Sequence, residues 1–204
     1  MKTKNLILSV ICALPLFAHA IDLSDKEKEL VVAGKLSKNV EWRDKYVWPR
    51  VTVKALIPGT PEQNMKGFTQ FEKHTDFIPD LIKSKIVATP APNQWHVSCV
   101  LKVPWPVSKS AYTTNNVVTV AADGTQTLVW NMVKGDLIKA TDGFVTFQPY
   151  EGKSLMEYQS QIVPDSGLAG MFKGKVEGDI EATVKAIIKN LAKQNSSSPQ
   201  STSI

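Results

Sequence analysis

The stretch Trp95-His96-Val97-Ser98-Cys99-Val100-Leu101-Lys102-Val103-Pro104-Trp105-Pro106-Val107-Ser108 decides the fold. Large apolar residues at 95, 97, 99, 101, 103 and 105 alternate with His96, Ser98, Val100, Lys102 and Pro104. Alternation with a period of two is the mark of a strand that buries one face. The two prolines around Trp105 end it, because proline has no N–H for a ladder of hydrogen bonds.

Outward from this strand the same period recurs. Residues 112–120, 127–133, 143–147 and 154–162 read as further strands, with Asp123-Gly124, Gly135-Asp136, Asp142-Gly143 and Glu151-Gly152 as turns between them. Turn signals this closely spaced predict successive antiparallel hairpins, hence a curved meander, rather than parallel strands joined by helices. Beyond them Leu168, Phe172, Val176, Ile180, Val184, Ile187, Ile188 and Leu191 recur at three- and four-residue steps, and Lys173, Glu177, Glu181, Lys185 and Lys189 occupy the other face. This predicts an amphipathic helix over 167–193, laid across the sheet. Gly170, Gly174 and Gly178 weaken its first half, each by up to about 1 kcal/mol relative to Ala. The Ser-rich residues 195–204 are expected to form a disordered tail.

Upstream, residues 22–35 place Asp22, Ser24 and Asp25 ahead of a short helix that stops at Gly34. Residues 40–57 are scattered with β-formers and read as one long or broken strand. Thr60 and Pro61 then suit a helix cap and a first helical position, and a helical stretch through Phe68, Phe71 and Phe77 halts before Pro79. The expected class is α+β.

The chain opens with Lys2 and Lys4, an apolar run from Leu6 to Phe17, and Ala18-His19-Ala20. That order is a signal peptide over 1–20, cut after Ala20. Its apolar run is short for a spanning helix, which needs roughly 20 residues, and charges or prolines interrupt every later segment. Cys12 is a poor lipidation site because bulky Ile11 precedes it. Loss of the leader takes the basic residues from 24 to 22 against 19 acidic ones, a net charge of +3. Lys and Glu are interspersed rather than gathered in one stripe, so no nucleic-acid partner is expected. Cys99 is then the single cysteine, and stability must come from a core. The remaining chain of about 180 residues is long enough for one domain, over 21–194, to bury about 70% of its unfolded surface.

One strand, two short helices, a run of antiparallel strands and a long closing helix resembles the START-like polyketide cyclase and lipid-transport superfamily. The local match is Val103-Pro104-Trp105-Pro106-Val107-Ser108, similar to that family's proline-aromatic-proline turn. It is supported by Trp130-Asn131-Met132-Val133-Lys134-Gly135, by residues 143–149, and by Tyr158 leading to Val163-Pro164-Asp165. The likeness covers roughly residues 25–192. It departs after the turn, where many members carry an Arg-Asp pair and this chain has Lys109-Ser110-Ala111-Tyr112.

The resemblance implies a helix-grip fold, a curved antiparallel sheet wrapped around a long C-terminal helix, with two short helices after the first strand. It also implies an apolar cavity between sheet and helix that holds a hydrophobic small molecule or lipid. The lining candidates are Trp95, Val97, Cys99, Leu101, Trp130, Met132, Val145, Phe147, Met156 and Tyr158, with Phe172 and Val176 from the helix. For any one of them, simple core packing is the competing reading, and a one-residue slip would turn Trp130 and Met132 outward.

Cys99 sits in an apolar row and is expected to be a buried, inert thiol. His74 and His96 lie in different elements and are expected at the surface, so no metal site is expected. No Gly-x-Ser-x-Gly elbow or phosphate-cradling loop occurs, and no catalytic residue or cofactor is assigned. Asp76, Asp136 and Tyr158 are assigned to loops or packing. The expectation is an exported, monomeric binding protein of the periplasm or exterior, with transient membrane-surface contact. A cyclase/aromatase-like enzyme using the same cavity, and a protein-interaction domain built on Trp42, Trp48 and Trp105, remain as alternatives.

Overall fold

A computed structural model describes residues 20–103, 105, 108–165, 170 and 172–197. The expected signal peptide, the start of the closing helix at Gly167 and Leu168, and the end of the tail lie outside these residues, apart from Ala20.

Ser24 and Thr60 each start a helix for the same reason. Ser24 Oγ accepts from Glu27 N while Glu27 Oε2 accepts from Ser24 N, which opens α1 (Asp25–Val32). Thr60 and Gln63 repeat the exchange at α2 (Pro61–Phe68), with Pro61 at its first turn. A 3-10 helix, Phe71–Asp76, follows.

The region 40–57 is two strands and not one. β1 (Ser37–Glu41) and β2 (Arg50–Ile57) pair antiparallel, so the short helices follow the second strand. The reason is the stretch from Trp42 to Pro49, which carries Arg43, Asp44 and Lys45 and turns the chain back instead of extending it. β2 then alternates with Val51, Val53, Ala55 and Ile57 buried.

β3 (Leu81–Ala91), β4 (Gln94–Lys102), β5 (Lys109–Val120), β6 (Gln126–Gly135), β7 (Ile138–Tyr150) and β8 (Lys153–Pro164) complete one antiparallel eight-stranded sheet, ordered β1-β2-β8-β7-β6-β5-β4-β3. Asp142-Gly143 is not a turn but the middle of β7, where Gly143 pairs with Trp130 on β6 and Ser160 on β8. A side chain at Gly143 would overlap the Trp130 ring and the Gln159 carbonyl oxygen. The glycine is there for a close approach in a strand.

The curved sheet wraps α3 (Lys173–Ser197), which turns Val176, Ile180, Val184, Ile187 and Leu191 into the core. The helix reaches Ser197, past the expected start of the tail. Asn195 Nδ2 donates to Pro58 O (2.8 Å) and Asn64 Oδ1 (2.9 Å), which latches its last turn to the start of α2.

Candidate functional site

A pocket of about 320 Å³ lies between the concave face of the sheet and α3. Strand alternation decides which side chains reach it. β4 contributes Val97, Cys99 and Leu101, β5 contributes Tyr112, Thr114 and Asn116, and β8 contributes Tyr158, Ser160 and Ile162. Trp130 stands between the last two sets, with its ring centroid 5.3 Å from that of Tyr158. α3 supplies Val176, Ile180 and Ile187, with Phe172 just ahead of its first residue, and the segment from Phe68 to Leu81 closes the remaining side with Phe68, Phe71, His74 and Ile78.

Seven of the twelve lining candidates stand in this wall: Val97, Cys99, Leu101, Trp130, Tyr158, Phe172 and Val176. Val145, Phe147 and Met156 are fully buried in the core behind it, and Trp95 packs on Phe71 with ring centroids 5.7 Å apart. Met132 is half-buried and lies outside the wall, next to Gly135. Sequence reasoning missed Tyr112, Thr114 and Asn116 because Tyr112-Thr113-Thr114-Asn115-Asn116 carries no apolar alternation. The signal that remained was period two itself, once β4 had fixed which face points inward.

His74 is a correction. It is 8% exposed, not a surface residue, and its ring meets Phe68, Phe71 and Phe77 edge-on at 5.5 Å each. Nε2 lies 2.7 Å from the Phe68 carbonyl oxygen, so that nitrogen carries the proton and donates. Burial lowers its pKa, against the pull of this hydrogen bond. Burial pushes the Cys99 thiol up, with the Ser84 and Tyr112 side chains acting the other way. It holds the Tyr112 hydroxyl well above its ordinary range and pushes Tyr158 up to about 12. These four groups are therefore uncharged near neutral pH.

Among the described residues, formal charge in the wall is confined to exposed positions at the rim. Asp80, Lys102, Lys175 and Asp179 are the charged residues of the wall, all four are exposed, and Lys175 Nζ pairs with Asp179 Oδ1 at 2.6 Å. Asp136 lies elsewhere and accepts from Ser110 Oγ and Ala111 N at the start of β5. Among the described residues no group of His, Cys, Asp and Glu is placed to hold a metal ion, and no helix is long and apolar enough to cross a membrane. What this arrangement can do is remove apolar surface from water and offer neutral hydrogen-bonding groups to whatever sits there.

No family model and no curated protein matches the chain. Solved structures do. The STAR-related lipid transfer protein from Xanthomonas axonopodis is 18% identical, with 76% of this chain and 93% of that one aligned at a TM-score of 0.69. Human StAR-related lipid transfer protein 5 is 9% identical over 78% of this chain and 82% of that one, with a TM-score of 0.62. The Zhui aromatase/cyclase from Streptomyces sp. R1128 is 10% identical over 72% and 93%, with a TM-score of 0.58. At these identities the likeness is one of fold, and it agrees with the strand order, the short helices and the long closing helix: this chain has the START-like helix-grip fold.

Proposed function

We propose that this protein is an exported carrier that holds a hydrophobic small molecule or lipid between the curved sheet and α3. The observation that carries the reading is the pocket itself. Its walls are aromatic and aliphatic, its interior polar groups are neutral, and its charges stay at the rim. About 320 Å³ falls at the lower end of the range for small-molecule sites, roughly 300–1,000 Å³. The lipid-transfer names of two structural neighbours favour the same class of ligand.

Two residues past the pocket's Val103, Trp105 is 88% exposed, with Lys102 and Lys109 nearby in the chain. An amphipathic ring beside cations suits brief contact with a membrane surface during loading and release. Export rests on the leader over 1–20. Cleavage there makes Ile21 the first residue, and Ile21 is already buried against Val31 and Leu155, its N donating to Gln148 Oε1 at 2.7 Å.

Native mass spectrometry of the protein recovered from its own compartment tests the whole reading. The expected result is a chain that begins at Ile21 and carries an extractable apolar molecule at near-unit stoichiometry. An empty protein that also fails to bind a fluorescent lipid would overturn the carrier reading. An intact leader would overturn export. A cyclase/aromatase-like activity is the second reading, supported by Tyr158, whose ionisable hydroxyl is buried in the pocket wall. Unchanged turnover in Tyr158→Phe would remove it.

A further inference from the structure

Tyr112, Thr114 and Asn116 stand at successive inward positions of β5, so the sheet side of the pocket carries a polar row where α3 is mostly apolar. Asn116 is the most constrained of the three, at 5% exposure. Its Nδ2 donates to Thr114 Oγ1 at 2.9 Å, Thr114 O at 3.2 Å and Trp95 O at 3.3 Å. The amide is thereby held with its nitrogen toward the strand. Its Oδ1 has no hydrogen-bond partner among the described residues. Thr114 Oγ1 has accepted from Asn116, which leaves its own O–H to donate.

Two neighbouring wall residues thus hold one unused acceptor and one unused donor. An acceptor that a ligand covers without a partner is costly, and a hydroxyl satisfies both groups at once: it donates to Asn116 Oδ1 and accepts from Thr114 O–H. A carbonyl engages only the donor and a hydrocarbon engages neither. The surroundings suit an aromatic or ring-shaped body, since Trp130 is the cross-strand partner of Asn116 and Phe71 and Tyr158 share the wall. Among the described residues the interior holds no formal charge that would pair with an ionised ligand. A water-sized unit takes up on the order of 30 Å³ in a liquid, so about 320 Å³ admits a compact molecule.

We propose that the Thr114–Asn116 pair makes the pocket selective for a compact, uncharged ligand that bears a hydroxyl, an alcohol or a phenol, over a hydrocarbon of the same shape. The proposal rests on the carrier reading and adds to it the chemistry that the ligand must carry. A site built to hydrogen-bond a hydroxyl rejects the analogue lacking it, because the site's own groups are then left unpaired.

Pyrene and 1-hydroxypyrene form a matched fluorescent pair that differs by one hydroxyl, and both are titrated near neutral pH into the wild type, Asn116→Leu and Thr114→Val. The wild type is expected to bind 1-hydroxypyrene about ten- to a hundredfold more tightly than pyrene. Each variant is expected to lose most of that preference while still binding pyrene, more tightly than the wild type does, because pyrene then covers one polar group fewer. Retained pyrene binding shows that the variant still folds around the pocket. Equal affinities in the wild type, or a preference that survives in both variants, would overturn the selectivity and leave the carrier reading standing. Loss of pyrene binding in both variants would assign the pair to holding the fold and likewise overturn it. If neither molecule binds the wild type, the carrier reading falls, and this inference falls with it.

Discussion

His74 shows how one side chain ties the pocket wall to pH. Its imidazole is packed among three phenylalanine rings and donates to the Phe68 carbonyl oxygen, so a charged ring is poorly solvated in the native state. Burial therefore lowers its pKa in the folded protein, whereas in the unfolded chain the ring titrates near its ordinary value of about 6.5. The unfolded state then binds more protons as pH falls below that value, and stability falls with it. Above about 6.5 the ring is neutral in both states and contributes no slope. Glu27 and Glu181, both held at about 2, act in a lower window, below the ordinary carboxylate value of 4.5. The urea midpoint is thus expected to drop between about pH 6.5 and 5 and to drop less in His74→Phe, which also loses about 1 kcal/mol at neutral pH with its hydrogen bond. An identical pH slope in wild type and variant would refute this account.

At the scale of the element, the closing helix is fixed at its far end by amides. Asn64 is fully buried. Its Nδ2 donates to Pro58 O, Gly59 O and Ser154 Oγ, and its Oδ1 accepts from Asn195. Asn195→Ala leaves that Oδ1 and one of the Pro58 carbonyl's donors unreplaced, and a loss of about 1–2 kcal/mol is expected in urea unfolding. No measurable loss would mean that water takes over the latch. This contact was illegible in the sequence, where 195–204 is simply polar, because a tail and a helix end share a composition when the partner lies 131 residues away. What was legible were elements whose periodicity is carried by apolar side chains: β4, the inward stripe of α3, and β2, whose alternation is regular even though its hairpin with β1 was not foreseen. Gly143 misled because glycine marks both turns and close approaches, and only the Trp130 ring across the strand pair distinguishes them. His74 misled for a related reason. A 3-10 helix has no stable face to read, and burial there is imposed by Phe68, Phe71 and Phe77 in three dimensions. The pocket was half legible, since β4 and α3 announce their apolar rows while β5 meets the same space with hydroxyls and an amide.

For the whole molecule, the pocket's position makes binding a matter of global stability. One wall belongs to the sheet and the other to α3, which touch around the pocket through Val176, Ile180 and Ile187 on the helix side and the β4–β8 face on the other. An occupant bridges the two layers, so it binds the folded arrangement and has no counterpart in the unfolded chain. Ligand free energy then appears in full as stability, about 2.7 kcal/mol when the free ligand is at a hundred times its Kd. For a domain of this size that corresponds to a rise in Tm of about 5–10 °C. The rise is expected to grow with the logarithm of ligand concentration above Kd, because it comes from mass action. The surface offers no comparable gain: Lys38 bridges Glu177 and Glu181 from β1 to α3 at 2.6 and 2.8 Å, but these pairs are partly exposed and worth no more than about 1 kcal/mol, screened by salt. A differential scanning fluorimetry series at low and high salt separates the two contributions. The ligand-dependent rise should persist in high salt, and a rise that vanishes there would place the ligand on the charged surface instead of between the sheet and α3.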